Sequence, residues 1–363
     1  MLFHRTRIRR VFESAPSCSV MTLLSVENLH VHFRTRTGVL PAVDGVSFHV
    51  DRGESLGVVG ESGCGKTTLA KAILRILAKN GMIQEGRILY EGRDLLQMPL
   101  ERFRQIRWQE ISLVTQSAMN ALDPVYRVGA QIVEAVRAHV NCSRREAWRR
   151  AEDLFVTVGL EPSRLRHYPH QFSGGMRQRA IVALALALDP SLVIADEPTT
   201  ALDVIMQDQI FDEIKRLQKR GRKALVLITH DISLVSENCD RVAVMYSGRI
   251  VEMAPVQTIF SHPSHPYTIG LQNAFPDLRR AKQDLVSIPG APPNLLKPLH
   301  GCRFASRCPF TQPICEQEEP SLVPTAEEHL LACHFPQMAP QFRELGRREK
   351  TWVRGDSVQV TWV

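Results

Sequence analysis

Short apolar runs recur along this chain, and segments with helical spacing of apolar positions fill the gaps between them. The runs near residues 46–50, 55–59, 111–114, 192–195, 224–229 and 241–246 are rich in Val, Ile and Leu and predict strands. A further strand-like segment, Leu23-Leu24-Ser25-Val26, precedes them. Strands alternating with helices predict an α/β fold around a mostly parallel sheet. Between the runs at 111–114 and 192–195 lie about 75 residues with helical periodicity alone, including Val128 to His139, Arg144 to Val158 and Met176 to Leu188. They predict a helical subdomain, about residues 119–189, inserted into the domain that carries the sheet.

Beyond residue 262 the pattern breaks, because 13 of the 22 prolines fall between Pro263 and Pro340, together with half of the eight cysteines. Residues 263–335 therefore read as a loop-rich unit held together by something other than long helices. Residues 336–363 read as a tail, in which Trp352 to Trp362 alternates across Gly355-Asp356 as either a small hairpin or a frayed end.

Composition narrows the class without naming a function. At 363 residues the chain has room for one large domain and a smaller one. Its 44% hydrophobic and 23% charged residues are those of a soluble globular protein. No apolar run approaches the roughly 18 to 20 residues needed to span a bilayer, and Ile181 to Leu188 stops at Asp189. The net charge of +7 comes partly from arginine clusters at residues 5–10, 102–107 and 144–150. These read as solvated helix faces; without interleaved aromatics they make no base-stacking platform, so no nucleic-acid partner is expected. The basic residues 1–21 lack the apolar stretch of a secretory signal, so a cytosolic chain is expected. Met21 stands just before the first strand and is a candidate translation start.

The chemistry begins at Gly60-Glu61-Ser62-Gly63-Cys64-Gly65-Lys66-Thr67, directly after the run 55–59. A strand feeding a glycine-rich loop and then a helix, here Thr67 to Leu77, aims backbone N–H groups and a helix dipole at one point, where a phosphate fits. Gly60, Ser62, Gly63, Gly65, Lys66, Thr67 and Thr68 are the candidate nucleotide contacts. Lys66 reaches the β and γ phosphates, and Thr67 joins the shell of a magnesium ion. The run 192–195 ends in Asp196-Glu197. Asp196 is placed to hold magnesium through water, and Glu197, pointing to the other side of the chain, to polarise an attacking water.

With these pieces the sequence resembles the ATPase subunits of ATP-binding cassette (ABC) transporters, over about residues 22–262. Phe172-Ser173-Gly174-Gly175-Met176-Arg177-Gln178 resembles the family's signature motif, with Phe and Met in place of the commoner Leu and Gln. The resemblance implies a P-loop NTPase (RecA-like) fold with an added antiparallel β part. It further implies that Ser173, Gly174 and Gly175 bind the γ phosphate held by a second cassette, identical or homologous. Gln116 matches the glutamine that touches magnesium and the attacking water, and His230 the switch histidine on the γ phosphate. Ala201-Leu202-Asp203 matches the loop across the dimer interface, with Asp203 as its acidic member. Phe33 or its neighbours would stack on adenine.

The region after the cassette resembles the C-terminal extension of oligopeptide and dipeptide importer ATPases. The resemblance rests on His262 to Thr268, Ala274 to Pro276, Ile288 to Pro293 and Gly301 to Pro309. It implies ATP-driven peptide import through two separate permease subunits, served by an extracytoplasmic peptide-binding protein, with this chain peripheral on the cytoplasmic face of a bacterial inner membrane. Relatives of the group also serve antimicrobial peptides, nickel or oligosaccharides, and a weakly hydrolysing partner subunit is the alternative role. Cys302, Cys308, Cys315 and Cys333 stand at intervals of six, seven and eighteen. A cytosolic chain is not expected to pair them as disulfides. Four thiolates suit a [4Fe-4S] cluster or, as the alternative, a zinc ion, and either would order a loop-rich segment. His334 is a neighbouring candidate ligand.

Overall fold

The computed structural model describes residues 22–115, 121–198, 207–208, 211–212, 215–216, 223–274 and 287–352. The basic segment 1–21, and the chain from 353 to its end, lie outside them. Two long strands, β1 (Thr22–Thr35) and β2 (Gly38–Asp51), pair antiparallel. β4 (Gly81–Tyr90) joins β1 on its other side, and β5 (Arg93–Asp94) completes a four-stranded sheet. The second sheet has eight strands, and its centre is parallel: β9 (Arg241–Tyr246), β3 (Ser55–Val59), β8 (Ala224–Thr229), β7 (Leu192–Asp196) and β6 (Ile111–Val114). β10 (Arg249–Pro255), β12 (His329–Leu331) and β11 (Val323–Ala326) continue it antiparallel.

The central strands are apolar at nearly every position because both faces are covered. Alternate residues feed different cores. Leu56, Val58, Leu192, Ile194, Val226, Ile228, Ala243 and Met245 pack with the antiparallel sheet and with helix α1 (Lys66–Ile73). Val59, Val193, Ala195, Leu225, Leu227, Val242 and Val244 pack with the inserted helices and with Tyr267 and Phe304 of the C-terminal region.

Helix α1 ends sooner than the expected Leu77. Arg75 adopts φ 52°, its N–H donates to Ala72 O, and the Ile76 N–H reaches back to Lys71 O. This is a Schellman stop with arginine at the position usually held by glycine. The Arg75 guanidinium holds the bend by donating to Leu95 O at 2.9 Å and Met98 O at 2.7 Å.

The insertion between β6 and β7 contains α2 (Val128–His139), α3 (Arg144–Thr157) and α4 (Gly174–Ala185). α3 starts at a capping box, Ser143 with Glu146. α4 begins two residues before the expected Met176, because Ser173 already caps it by accepting from Met176 N–H at 3.3 Å.

The C-terminal region is tied to the sheet itself. Its strand β12 pairs with β10, Leu331 opposite Glu252. Glu252 is fully buried and accepts from Ser264 N–H (2.7 Å), His265 N–H (3.0 Å) and His329 Nε2 (2.9 Å). A second tie joins Arg303 to Asp44 of β2 and to Glu319. Trp352 lies buried in the short helix Glu349–Trp352, its indole N–H on Gly346 O at 2.8 Å. The position that opened the expected hairpin is thus helical, and the rest of that hairpin falls outside the described residues.

Glu252→Ala strands three donors at once, two of them on the buried His265 and His329. The expected loss is about 3 kcal/mol, read as a lower denaturation midpoint in urea; an unchanged midpoint contradicts the anchoring role of Glu252.

Candidate active site

β3 runs straight into the phosphate loop, and two glycines make the turn feasible. A Cβ on Gly60 would lie 2.1 Å from Met245 O, and one on Gly65, at φ 107°, 2.2 Å from Ala42 O. Gly65 is also the residue that caps α1. Lys66 is 6% exposed, and its ammonium donates to Gly60 O at 2.6 Å and Glu61 O at 2.9 Å. Ser62 and Gly63 are exposed, and Thr67 and Thr68 are half-buried.

The neighbouring strand ends complete the arrangement. Thr67 Oγ1 donates to Asp196 Oδ1 at 3.1 Å across the gap between loop and β7. Asp196 is buried, and burial pushes its carboxyl above the usual range, opposed by the Thr67 hydroxyl and reinforced by the charge of Glu197. Glu197 sits at φ 48°, its N–H on Ile228 O at 2.8 Å. That left-handed turn directs its carboxylate to His230, whose Nδ1 is 3.0 Å from Glu197 Oε1. Lys66, Thr67, Asp196, Glu197 and His230 therefore meet at one edge of the sheet. They make a cation, a hydroxyl and a buried carboxylate for a metal-bound phosphate, with a second carboxylate held by an imidazole alongside. These residues fit magnesium and a nucleotide: Thr67 and Asp196 face each other at hydrogen-bonding distance, so that a cation between loop and β7 would meet both oxygens.

Other expected residues stand apart. Ser173 and Gly174 are exposed at the start of α4, on the insertion and not on the sheet edge. Phe33 is half-buried on β1 between Leu40 and Gly81, its ring over the open side of Gly81. Gln116 and Asp203 lie outside the described residues.

The four cysteines of the C-terminal region line one cavity of about 20 Å³ with Phe304, Phe310 and His334. None of the four is in a disulfide. Burial pushes the thiols up, Cys302 to about 11 and Cys333 to about 12, with Cys308 also raised well above the usual range, and each neighbour's sulfur adds to the effect. Backbone N–H groups of Phe304, Phe310 and Phe335 point at Cys302, Cys308 and Cys333 and favour the thiolate. The donor set suits a sulfur-liganded group, although no three Cys, His, Asp or Glu side chains among the described residues form a single-ion site. His334 Nε2 is engaged with Glu318 O at 2.9 Å.

Two contacts escaped sequence reasoning. The Glu61 N–H donates to Tyr267 Oη at 2.9 Å, and Arg307 pairs with the Glu61 carboxylate. Both partners come from the C-terminal region, more than 200 positions away, and only an acidic residue inside an anion-binding loop hinted that a counter-charge was needed.

Comparison with known proteins extends the geometry. Residues 43–200 match the family profile described as ABC transporter, and residues 251–315 the one described as oligopeptide/dipeptide transporter, C-terminal region. A probable peptide ABC transporter ATP-binding protein of Sinorhizobium fredii is 47% identical over 86% of this chain and 94% of its own length. The dipeptide transport ATP-binding protein DppD of Lactococcus lactis is 44% identical over 92% and 98%. Among solved structures, an ATP-binding cassette in a dimeric post-hydrolysis state with ADP and phosphate overlays with TM-score 0.60. It covers 64% of this chain and 99% of its own, at 24% identity, and supports the fold. No helix among the described residues is long and apolar enough to cross a membrane.

Because burial pushes the Asp196 carboxyl above its usual range and so disfavours its charged form, Asp196→Asn is expected to raise the melting temperature of the nucleotide-free chain at neutral pH. A carboxyl raised in the fold contributes stability at low pH that is lost as pH rises through its folded value, so the gap to the variant should widen with pH. The same substitution should abolish stabilisation by magnesium and ATP. Melting curves across pH check both, and a variant no more stable than the parent at neutral pH contradicts the assignment.

Proposed function

The chain belongs to the ATP-binding subunits of the oligopeptide and dipeptide ABC transporters, and on that premise we propose that it hydrolyses ATP to drive peptide import through separate permease chains. The observation that carries the reading is the meeting of Lys66, Thr67, Asp196, Glu197 and His230 at one sheet edge, in a chain that also carries the oligopeptide-type C-terminal region.

Lys66 and the loop N–H groups bind the β and γ phosphates. Thr67 and Asp196, with Gln116, would hold magnesium, which neutralises charge on the phosphates when bound. Glu197 takes a proton from the attacking water, and the imidazole of His230 steadies that carboxylate and faces the γ phosphate. Phe33 or its neighbours on β1 would stack on adenine. The exposed Ser173 and Gly174, with the half-buried Gly175, serve the nucleotide of a second cassette, with Asp203 at the shared interface, so turnover requires two cassettes closing together. Such a motor sits on the cytoplasmic face of the membrane against its permeases and receives peptide from an extracytoplasmic binding protein. Lys66, Asp196, Glu197 and His230 are all present, which favours an active subunit over a weakly hydrolysing partner.

Glu197→Gln is expected to lower ATPase turnover of the assembled transporter at least 100-fold, the usual scale for losing a general base, while ATP-dependent dimers persist by gel filtration. Turnover equal to the parent's would overturn the catalytic role. Peptide uptake into proteoliposomes, tested against nickel and oligosaccharide, checks the cargo.

For the four cysteines we propose a [4Fe-4S] cluster, with zinc as the alternative. A [4Fe-4S] cluster takes one cysteine thiolate per iron, and the four thiols set around one cavity supply that number. Cys302, Cys308, Cys315 and Cys333 would hold it, and it would supply order to the loops they come from. Anaerobically purified protein is expected to absorb near ~400 nm and to lose that band in Cys308→Ser; a colourless, metal-free and equally stable parent contradicts any metal.

A further inference from the structure

An anion-binding loop gains nothing from a carboxylate of its own, yet the phosphate loop carries Glu61 immediately after Gly60. The structure shows what offsets it. Arg307 approaches the Glu61 carboxylate with both terminal nitrogens, Nη1 to Oε2 at 2.8 Å and Nη2 to Oε1 at 2.9 Å. This is the fork geometry that makes arginine a stronger and more directional partner than lysine. The remaining donors are engaged too: Nε with Pro289 O at 2.9 Å, Nη2 with Ile288 O at 3.3 Å and Nη1 with Tyr246 Oη at 3.2 Å. The guanidinium also lies over the Tyr246 ring, 5.8 Å from its centre. Arg307 is 8% exposed, so its place is built and not incidental. The backbone of the same glutamate is fixed independently, its N–H on Tyr267 Oη at 2.9 Å. Tyr267 is itself wedged between Tyr246 and Phe304, ring centres 4.7 and 5.4 Å away.

The hold reaches the chemistry in one step. The Glu61 carbonyl is one of the two oxygens on which the Lys66 ammonium rests, so the position of Glu61 sets where that ammonium is presented. We propose that Arg307 and Tyr267, supplied by the C-terminal region, are positioning residues of the nucleotide site. Arg307 cancels the Glu61 charge that would otherwise repel the triphosphate, and together with Tyr267 it fixes the loop that carries Lys66. The proposal rests on the reading of Gly60 to Thr67 as the ATP site. It makes the C-terminal region part of that site, in addition to whatever the cysteines bind.

The test is steady-state ATPase kinetics of the assembled transporter, with ATP affinity of the full chain measured in parallel. Arg307→Gln is expected to raise KM for ATP about tenfold, equivalent to about 1.4 kcal/mol, with kcat changed less than about threefold. Because the cost comes from an unpaired charge, Glu61→Gln in the same chain should return KM to within about threefold of the parent. A merely structural role for Arg307 predicts no such rescue. Arg343→Gln, which loosens the C-terminal region at its contact with Pro263 O and away from the loop, should lower the melting temperature and leave KM unchanged. An unchanged KM in Arg307→Gln, a rise that Glu61→Gln does not reverse, or an equal rise in Arg343→Gln overturns the proposal. If Arg307→Gln does not fold, Arg307→Lys decides by the same criteria, with an expected rise of about threefold. Lys66→Ala separates the premise from the inference: if it binds ATP like the parent, the loop is not the nucleotide site, whatever Arg307 does.

Discussion

The site depends on the register in which three parallel strands pair. Val59 of β3 lies opposite Thr229 of β8, and Asp196 of β7 opposite Ile228. Gly60, His230 and Glu197 are the next residues of their strands, so all three leave the sheet on one edge within about one residue of each other. Buried strands specify this register strongly, because a slip by one would turn each apolar side chain toward the wrong core. The Thr67 to Asp196 hydrogen bond and the His230 to Glu197 contact are consequences of that pairing. Long-range pairing thus does what no local motif can, bringing together residues more than 100 positions apart.

That division explains what could be read beforehand. β3, β6, β8 and β9 have the limits expected from their apolar runs, because a strand covered on both faces is written as an uninterrupted string of Val, Ile and Leu. The phosphate loop and the Asp196-Glu197 pair were legible for the same reason, each being punctuation at the end of such a string. The early stop of α1 was not, since Arg75 takes a left-handed conformation that sequence normally signals with glycine. β11 was invisible because all four of its residues are exposed and none marks a buried face. The convergence of four cysteines on one cavity, and the reach of Arg307 to Glu61, depend on how distant segments pack. Spacing along the chain carries little of that information.

The two cores also differ in what they share. One unites the loop helix with the antiparallel sheet, and the other unites the inserted helices with aromatic residues of the C-terminal region. The phosphate loop lies between them. It is fixed from one side by Leu69, Ala70 and Ile73 of its helix and from the other by Tyr267 and Arg307. A loop that must present several N–H groups to one anion gains from being held on both sides, since the geometry is then set before the anion arrives.

Glu252 has a consequence for how such chains are inherited. Its fully buried carboxylate lies on the cassette's own strand β10, yet two of its partners are backbone N–H groups just past that strand and the third is His329. A C-terminal region transferred by recombination to a cassette lacking this glutamate would arrive without the carboxylate that these groups bind. A cassette stripped of the region would keep a carboxylate with little to bind it. The structural unit that the C-terminal region needs therefore begins inside the sheet, at Glu252, and not in the proline-rich stretch where the texture of the sequence changes. The match to the oligopeptide-type region begins at residue 251, one position before that glutamate.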